Sequence, residues 1–68
     1  MKKIYLNKLD NYIGKKLILQ LPSLDYEVTI QVSLGGMYFV VASNQKLIGQ
    51  IYKGKQNFKG ELFEKWST

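Results

Sequence analysis

Along residues 26–34, Tyr26, Val28, Ile30, Val32 and Leu34 alternate with Glu27, Thr29, Gln31 and Ser33, a period of two that predicts a half-buried strand. Gly35 and Gly36 follow, and two glycines accept the positive φ angles of a primed two-residue hairpin turn. The run MYFVVA should therefore fold straight back, with Leu34 facing Met37, Val32 facing Phe39, Ile30 facing Val41 and Thr29 facing Ala42. In that register the core face is Ile30, Val32, Leu34, Met37, Phe39 and Val41. The reverse face sets Thr29, Gln31 and Ser33 beside an apolar stripe of Tyr38, Val40 and Ala42. Such a stripe needs a cover: the chain's own ends through Tyr5, Leu9, Phe63 or Trp66, a second copy of the chain, or another protein.

Upstream, KKLILQLPS places Leu17, Leu19 and Leu21 on one face opposite Lys16, Ile18 and Gln20, and Pro22 with Ser23 ends this first strand because proline cannot donate to a ladder. Downstream, SNQK predicts a tight turn into KLIGQIY, apolar on both faces, where Gly49 predicts a bulge or sharp bend. Two readings stand at each end. Leu6, Leu9 and Ile13 have helical spacing with Gly14 at a helix C-cap position, against a strand from Ile4 to Leu6. Phe58, Leu62 and Trp66 recur every four residues, with Asn57 as a cap and Glu61 and Lys65 as an i,i+4 pair, against a closing strand in GELFE; Gly60 favours the strand or a single turn. The expected fold is mostly β: one domain over 1–68, a small antiparallel barrel or strongly bent sheet of about five strands, with or without a short N-terminal helix.

The order of a short N-terminal helix, then YIGKKLILQL, then a long second strand after a polar turn resembles the Sm-like small barrel over residues 5–42. LGGM stands where that family has its acidic and asparagine-bearing loop, so the resemblance implies architecture of Sm-like or OB-like size and carries over no RNA-contact residue.

Composition changes the picture in three ways. A chain of 68 residues buries only roughly 60% of its unfolded surface, and with neither Cys nor His it lacks the usual supports of disulfide or metal, leaving self-association or a partner. The missing cysteines and the lack of an apolar run of roughly 20 residues predict a cytoplasmic protein with no membrane span; MKKIYLNKLDNY begins like a signal peptide, but Asn7, Lys8, Asp10 and Asn11 interrupt its apolar core. All ten basic residues are lysine, which with frequent Ile, Asn and Tyr suggests an AT-rich coding sequence of a low-GC bacterium or its phage. Without guanidinium there is no bidentate fork for phosphate or a guanine edge.

The chain has formal charge +5, arranged in blocks: residues 1–24 hold five lysines against Asp10, and residues 46–59 hold four lysines and no acid. Asp10, Asp25, Glu27, Glu61 and Glu64 show no catalytic or metal spacing, and Ser23, Ser33 and Ser43 have no histidine base, so neither an enzyme nor a cofactor is expected. GQIYKGKQNFKG matches neither the P-loop nor the dinucleotide fingerprint. What remains is lysine interleaved with aromatics: Lys46, Tyr52, Lys53, Lys55, Phe58 and Lys59, joined by Lys15, Lys16 and Tyr12. A groove for single-stranded nucleic acid or a nucleotide needs that combination of charge along phosphates and rings for bases. The alternative is a protein-binding accessory or inhibitor, of the kind a phage encodes against its host or the host's defences, gripping its partner through the Tyr38 and Val40 stripe, Trp66 or a sheet edge.

Overall fold

In a computed structural model, residues 2–65 are described, and they form one curled antiparallel sheet, a half-barrel. The strands are β1 (Lys3–Ile4), β2 (Leu17–Gln20), β3 (Asp25–Val32), β4 (Tyr38–Ala42), β5 (Leu47–Tyr52), β6 (Lys55–Gln56) and β7 (Glu61–Glu64), with a 3-10 helix over Leu6–Tyr12. Their order in the sheet is β1-β7-β2-β3-β4-β5-β6. The expected β class is what forms, with seven strands in place of five; the two additional ones, β1 and β6, are two-residue edges that each carry a lysine, a feature that discourages edge-to-edge pairing.

Both readings of the N-terminus hold in part. Lys3–Ile4 is a strand beside β7, and the turns that follow are 3-10, ended by Gly14 at φ +79°. The Gly14 amide then donates to the Ile30 carbonyl at 3.1 Å, which docks the helix exit on β3. At the other end GELFE is a closing strand: Leu62 pairs with both Leu19 and Ile4, so the first and last segments of the chain meet in the core. That core is Ile4, Leu9, Leu17, Leu19, Val28, Ile30, Val40, Ile51 and Leu62.

The β3–β4 register corrects the expected hairpin. The loop has three residues, not two: the Ser33 amide donates to the Met37 carbonyl at 2.9 Å and the Gly36 amide to the Ser33 carbonyl at 3.0 Å. Of the two glycines only Gly36 has a positive φ, +83°, the geometry of a three-residue hairpin loop with its last residue left-handed. The Met37 amide also donates to Ser33 Oγ at 3.2 Å, so serine at the first turn position and glycine at the fourth specify this turn together. Ile30 therefore pairs with Val40 and Val32 with Tyr38. A one-residue slip turns the pairing over: Tyr38 and Val40 face the core, Phe39 turns outward, and Val32 and Leu34 are exposed, while Val41 and Ala42 both stay buried, at 7% and 6% exposure. The stripe that needed a cover is the core face itself.

Two further turns set β5. Ser43, Asn44 and Gln45 form the β4–β5 loop, in which the Gln45 amide reaches the Ala42 carbonyl at 2.9 Å and Asn44 Oδ1 accepts from the Lys46 amide at 3.0 Å. Its last residue, Gln45, takes φ +71°, strained for a residue with a Cβ. The register then shifts between Val40 and Val41, opposite Gly49 and Leu47, which is the bend that Gly49 predicts. Gly49 also faces Val40, and its missing side chain is occupied by the Phe58 ring, since a Cβ there would lie 2.2 Å from Phe58 Cδ1. Asn57 folds the ring back, because its amide donates to the Gln50 carbonyl at 3.0 Å and its Oδ1 accepts from the Gln50 amide at 2.7 Å.

Gly49→Ala should cost about 1–3 kcal/mol by urea unfolding, and combining it with Phe58→Ala should cost less than the two losses added, since the second change removes the clash made by the first; strict additivity would separate ring from glycine. Gln45→Gly should raise stability by about 1 kcal/mol, read as a higher thermal midpoint, and a lower midpoint would show that Gln45 is unstrained.

Candidate functional site

The β5–β6 hairpin builds the tightest of the predicted groupings. Lys53 and Gly54, at φ +52° and +75°, are consecutive left-handed residues, which makes a primed two-residue turn. Tyr52 and Lys55 close it as a cross-strand pair, so ring and ammonium share a face. Lys53 Nζ lies 5.3 Å from the centre of the Tyr52 ring, within range of a cation–π contact. Tyr52 is 43% exposed, leaving ring surface free.

The other predicted lysines lie elsewhere. Lys16 lines a groove of about 250 Å³ with Glu27, Thr29, Ala42, Ser43 and Gln45, which places it with Lys46 at the opposite end of β5 from Lys53 and Lys55. Lys15 Nζ lies 5.7 Å from the Tyr12 ring. Lys59 lines a broader groove of about 600 Å³ beside Pro22, Asp25 and Glu61. Phe58 is not an exposed ring: it packs against the core over Gly49. The predicted residues thus form a Tyr52–Lys53–Lys55 cluster, a second basic end at Lys16 and Lys46, and outliers at Lys15 and Lys59.

The acids are engaged very differently from the lysines. Glu61 pairs with Lys3 at 2.5 Å, Glu64 with Lys2 at 3.9 Å, and Glu27 with Lys65. The Tyr12 hydroxyl donates to Glu64 Oε2 at 3.1 Å, and the Tyr38 hydroxyl donates to Asp10. Lys65, hydrogen-bonded to Glu27, holds that carboxyl below its ordinary range, with Lys16 adding a smaller effect. The Lys3 ammonium is pushed up by its bond to Glu61. By contrast Lys15, Lys16, Lys46, Lys53, Lys55 and Lys59 are all exposed, and none forms an ion pair among the described residues. Nor do those residues contain a group of three His, Cys, Asp or Glu side chains placed to hold a metal ion, or a helix long and apolar enough to cross a membrane.

The residues assigned to a protein interface change place. Val40 is 0% exposed and cannot present itself to a partner; the one-residue difference in register is the cause. Tyr38 packs against the core and spends its hydroxyl on Asp10. Trp66 lies outside the described residues. Sequence reasoning also passed over Phe39, half-buried on the outer face and no part of the core cluster. The pattern Ser33-x-x-Gly36 is the signal that would have found it.

Comparison with known proteins gives no match: no family model, no curated protein and no solved structure corresponds to this chain.

Two tyrosine–carboxylate bonds join the 3-10 helix to the sheet, and their titration has a definite sign. The Tyr38 hydroxyl is raised above its ordinary 10.0, chiefly by its bond to Asp10, and the Tyr12 hydroxyl is raised chiefly by burial and then by Glu64. A raised folded-state value contributes stability below the unfolded value and loses it as pH rises through the folded one. The thermal midpoint should therefore fall above pH 10.0, and fall less in a Tyr12→Phe, Tyr38→Phe double variant; equal slopes in both proteins would remove these bonds from the account.

Proposed function

We propose that this protein is a non-enzymatic module that binds nucleic acid or a nucleotide through lysine side chains and the exposed Tyr52 ring. The observation that carries the reading is the asymmetry of charge pairing. Asp10, Glu27, Glu61 and Glu64 each have a cationic or hydroxyl partner, while the lysines of the hairpin tip and of the Lys16–Lys46 end have no ion-pair partner among the described residues. Asp10, bonded to a neutral hydroxyl, and the exposed Asp25 keep their charge. With Glu27, Glu61 and Glu64 cancelled by lysines, the unpaired ammonium groups outnumber them and leave a positive field on the surface, which attracts polyanions and speeds their encounter. Arginine is absent, so base edges lack their commonest bidentate reader and the binding is expected to be indifferent to duplex sequence.

The protein-interface alternative loses Val40 as a contact, because that side chain lies in the core.

Binding of a fluorescently labelled oligonucleotide, followed by anisotropy across a salt series, tests the proposal. The logarithm of affinity should fall linearly with the logarithm of salt, at about 0.7 for each phosphate neutralised on a single strand. Lys53→Gln and Lys55→Gln should each weaken binding and reduce that slope. Affinity that ignores salt, or no binding at the lowest salt, would overturn the proposal.

A further inference from the structure

The outer face of β3, β4 and β5 has a property that general attraction of anions does not require. Gln31 pairs with Phe39 and Phe39 with Gln50, while Ile30, Val40 and Ile51 of the same strands lie in the core. Phe39 therefore stands on the side away from the core, and so does Tyr52, the neighbour of Ile51. Tyr52 is two residues on from Gln50, which makes it the diagonal neighbour of Phe39, a separation of about 7–8 Å. Two rings thus share one face, one half-buried and one exposed, neither packed into the core cluster.

What surrounds the rings suits a chain of phosphates. Lys53 and Lys55 stand at one end of the face, and Lys16 with the turn that leads to Lys46 stands at the other. Between them lie Thr29, Gln31, Leu47 and Gln50, with Val41 buried, and none is a carboxylate; Glu27, which shares the groove with Lys16, is paired with Lys65. β5 itself spans about 20 Å, room for a few nucleotides. Rings flanked by cations match unstacked bases, whose π faces are free in a single strand and covered in a duplex. A lone nucleotide would occupy only one ring.

We infer that this face binds single-stranded nucleic acid, with neighbouring bases stacked on Phe39 and Tyr52 and the backbone led to the lysines at either end. The inference rests on the anion-binding reading above and narrows its ligand.

Three probes separate the two: a labelled oligothymidylate of about twelve nucleotides, a labelled duplex of equal length, and heparin, a polyanion without bases. Phe39→Leu and Tyr52→Leu keep apolar bulk and remove the ring, and each is checked for folding by thermal midpoint. The wild-type protein should bind the single strand about tenfold or more tighter than the duplex, and each variant should lose about tenfold on the single strand with duplex and heparin binding unchanged. If Phe39→Leu fails to fold, Tyr52→Leu, at an exposed hairpin end, carries the test alone. Equal binding of single strand and duplex, with variants like wild type, would overturn the stacking platform and leave the anion reading standing on its lysines alone, without the Tyr52 ring. No binding to any of the three probes would overturn both.

Discussion

A hydrogen bond from the Ser33 amide to the Met37 carbonyl, with Gly36 left-handed just before it, closes an odd-length loop, and that length decides which side of β4 meets the core. With Val40 inward and opposite Gly49, a space opens that the Phe58 ring fills. With Tyr38 inward, its hydroxyl reaches Asp10 on the 3-10 helix. With Phe39 outward, an aromatic ring joins Tyr52 on the exposed face. An even loop would reverse all of these at once, because strand side chains alternate with a period of two.

The half-barrel is then closed by contacts between residues remote in sequence. Leu62 lies between Ile4 and Leu19, and Tyr12 donates to Glu64 across 52 positions. These contributions differ in size. A single hydrogen bond adds about 0.5–1.5 kcal/mol net, whereas truncating a well-packed Phe or Leu costs about 2–5 kcal/mol. Packing of Phe58 on Gly49 and of Leu62 between its neighbours therefore dominates, and the tyrosine bonds orient the helix more than they stabilise it. The surface ion pairs of Lys2, Lys3 and Lys65 are exposed and contribute little to stability; their consequence is electrostatic, since they cancel acids and leave other lysines unopposed.

Local patterns were legible and the choice between two local patterns was not. Alternation from Tyr26 to Ile30, the leucines of LILQL, the SNQK turn, the bend at Gly49 and the GELFE strand all appear where the pattern puts them, whereas Val32 and Leu34 are exposed. Gly35 and Gly36 admit both a two-residue and a three-residue loop, and the deciding group is the hydroxyl of Ser33. Reading the glycines without the serine moved Phe39 into the core and Val40 out of it. The short strand β6 escaped notice because two residues carry no periodicity, and for the same reason β1 stood only as one of two readings of the N-terminus. At the candidate site the lysines were legible from charge alone; that Phe58 is a core ring depends on a glycine nine positions away, which no local pattern reveals.

Interstrand nuclear Overhauser effects along β3 and β4 measure the register directly in solution. Contacts that pair Ile30 with Val40 and Val32 with Tyr38, together with slow exchange of the Ser33 amide, are the result this account requires. Contacts that pair Ile30 with Val41 and Val32 with Phe39 would return Phe39 to the core, and with it would go the Phe58 packing, the Tyr38 tether and the outer aromatic face.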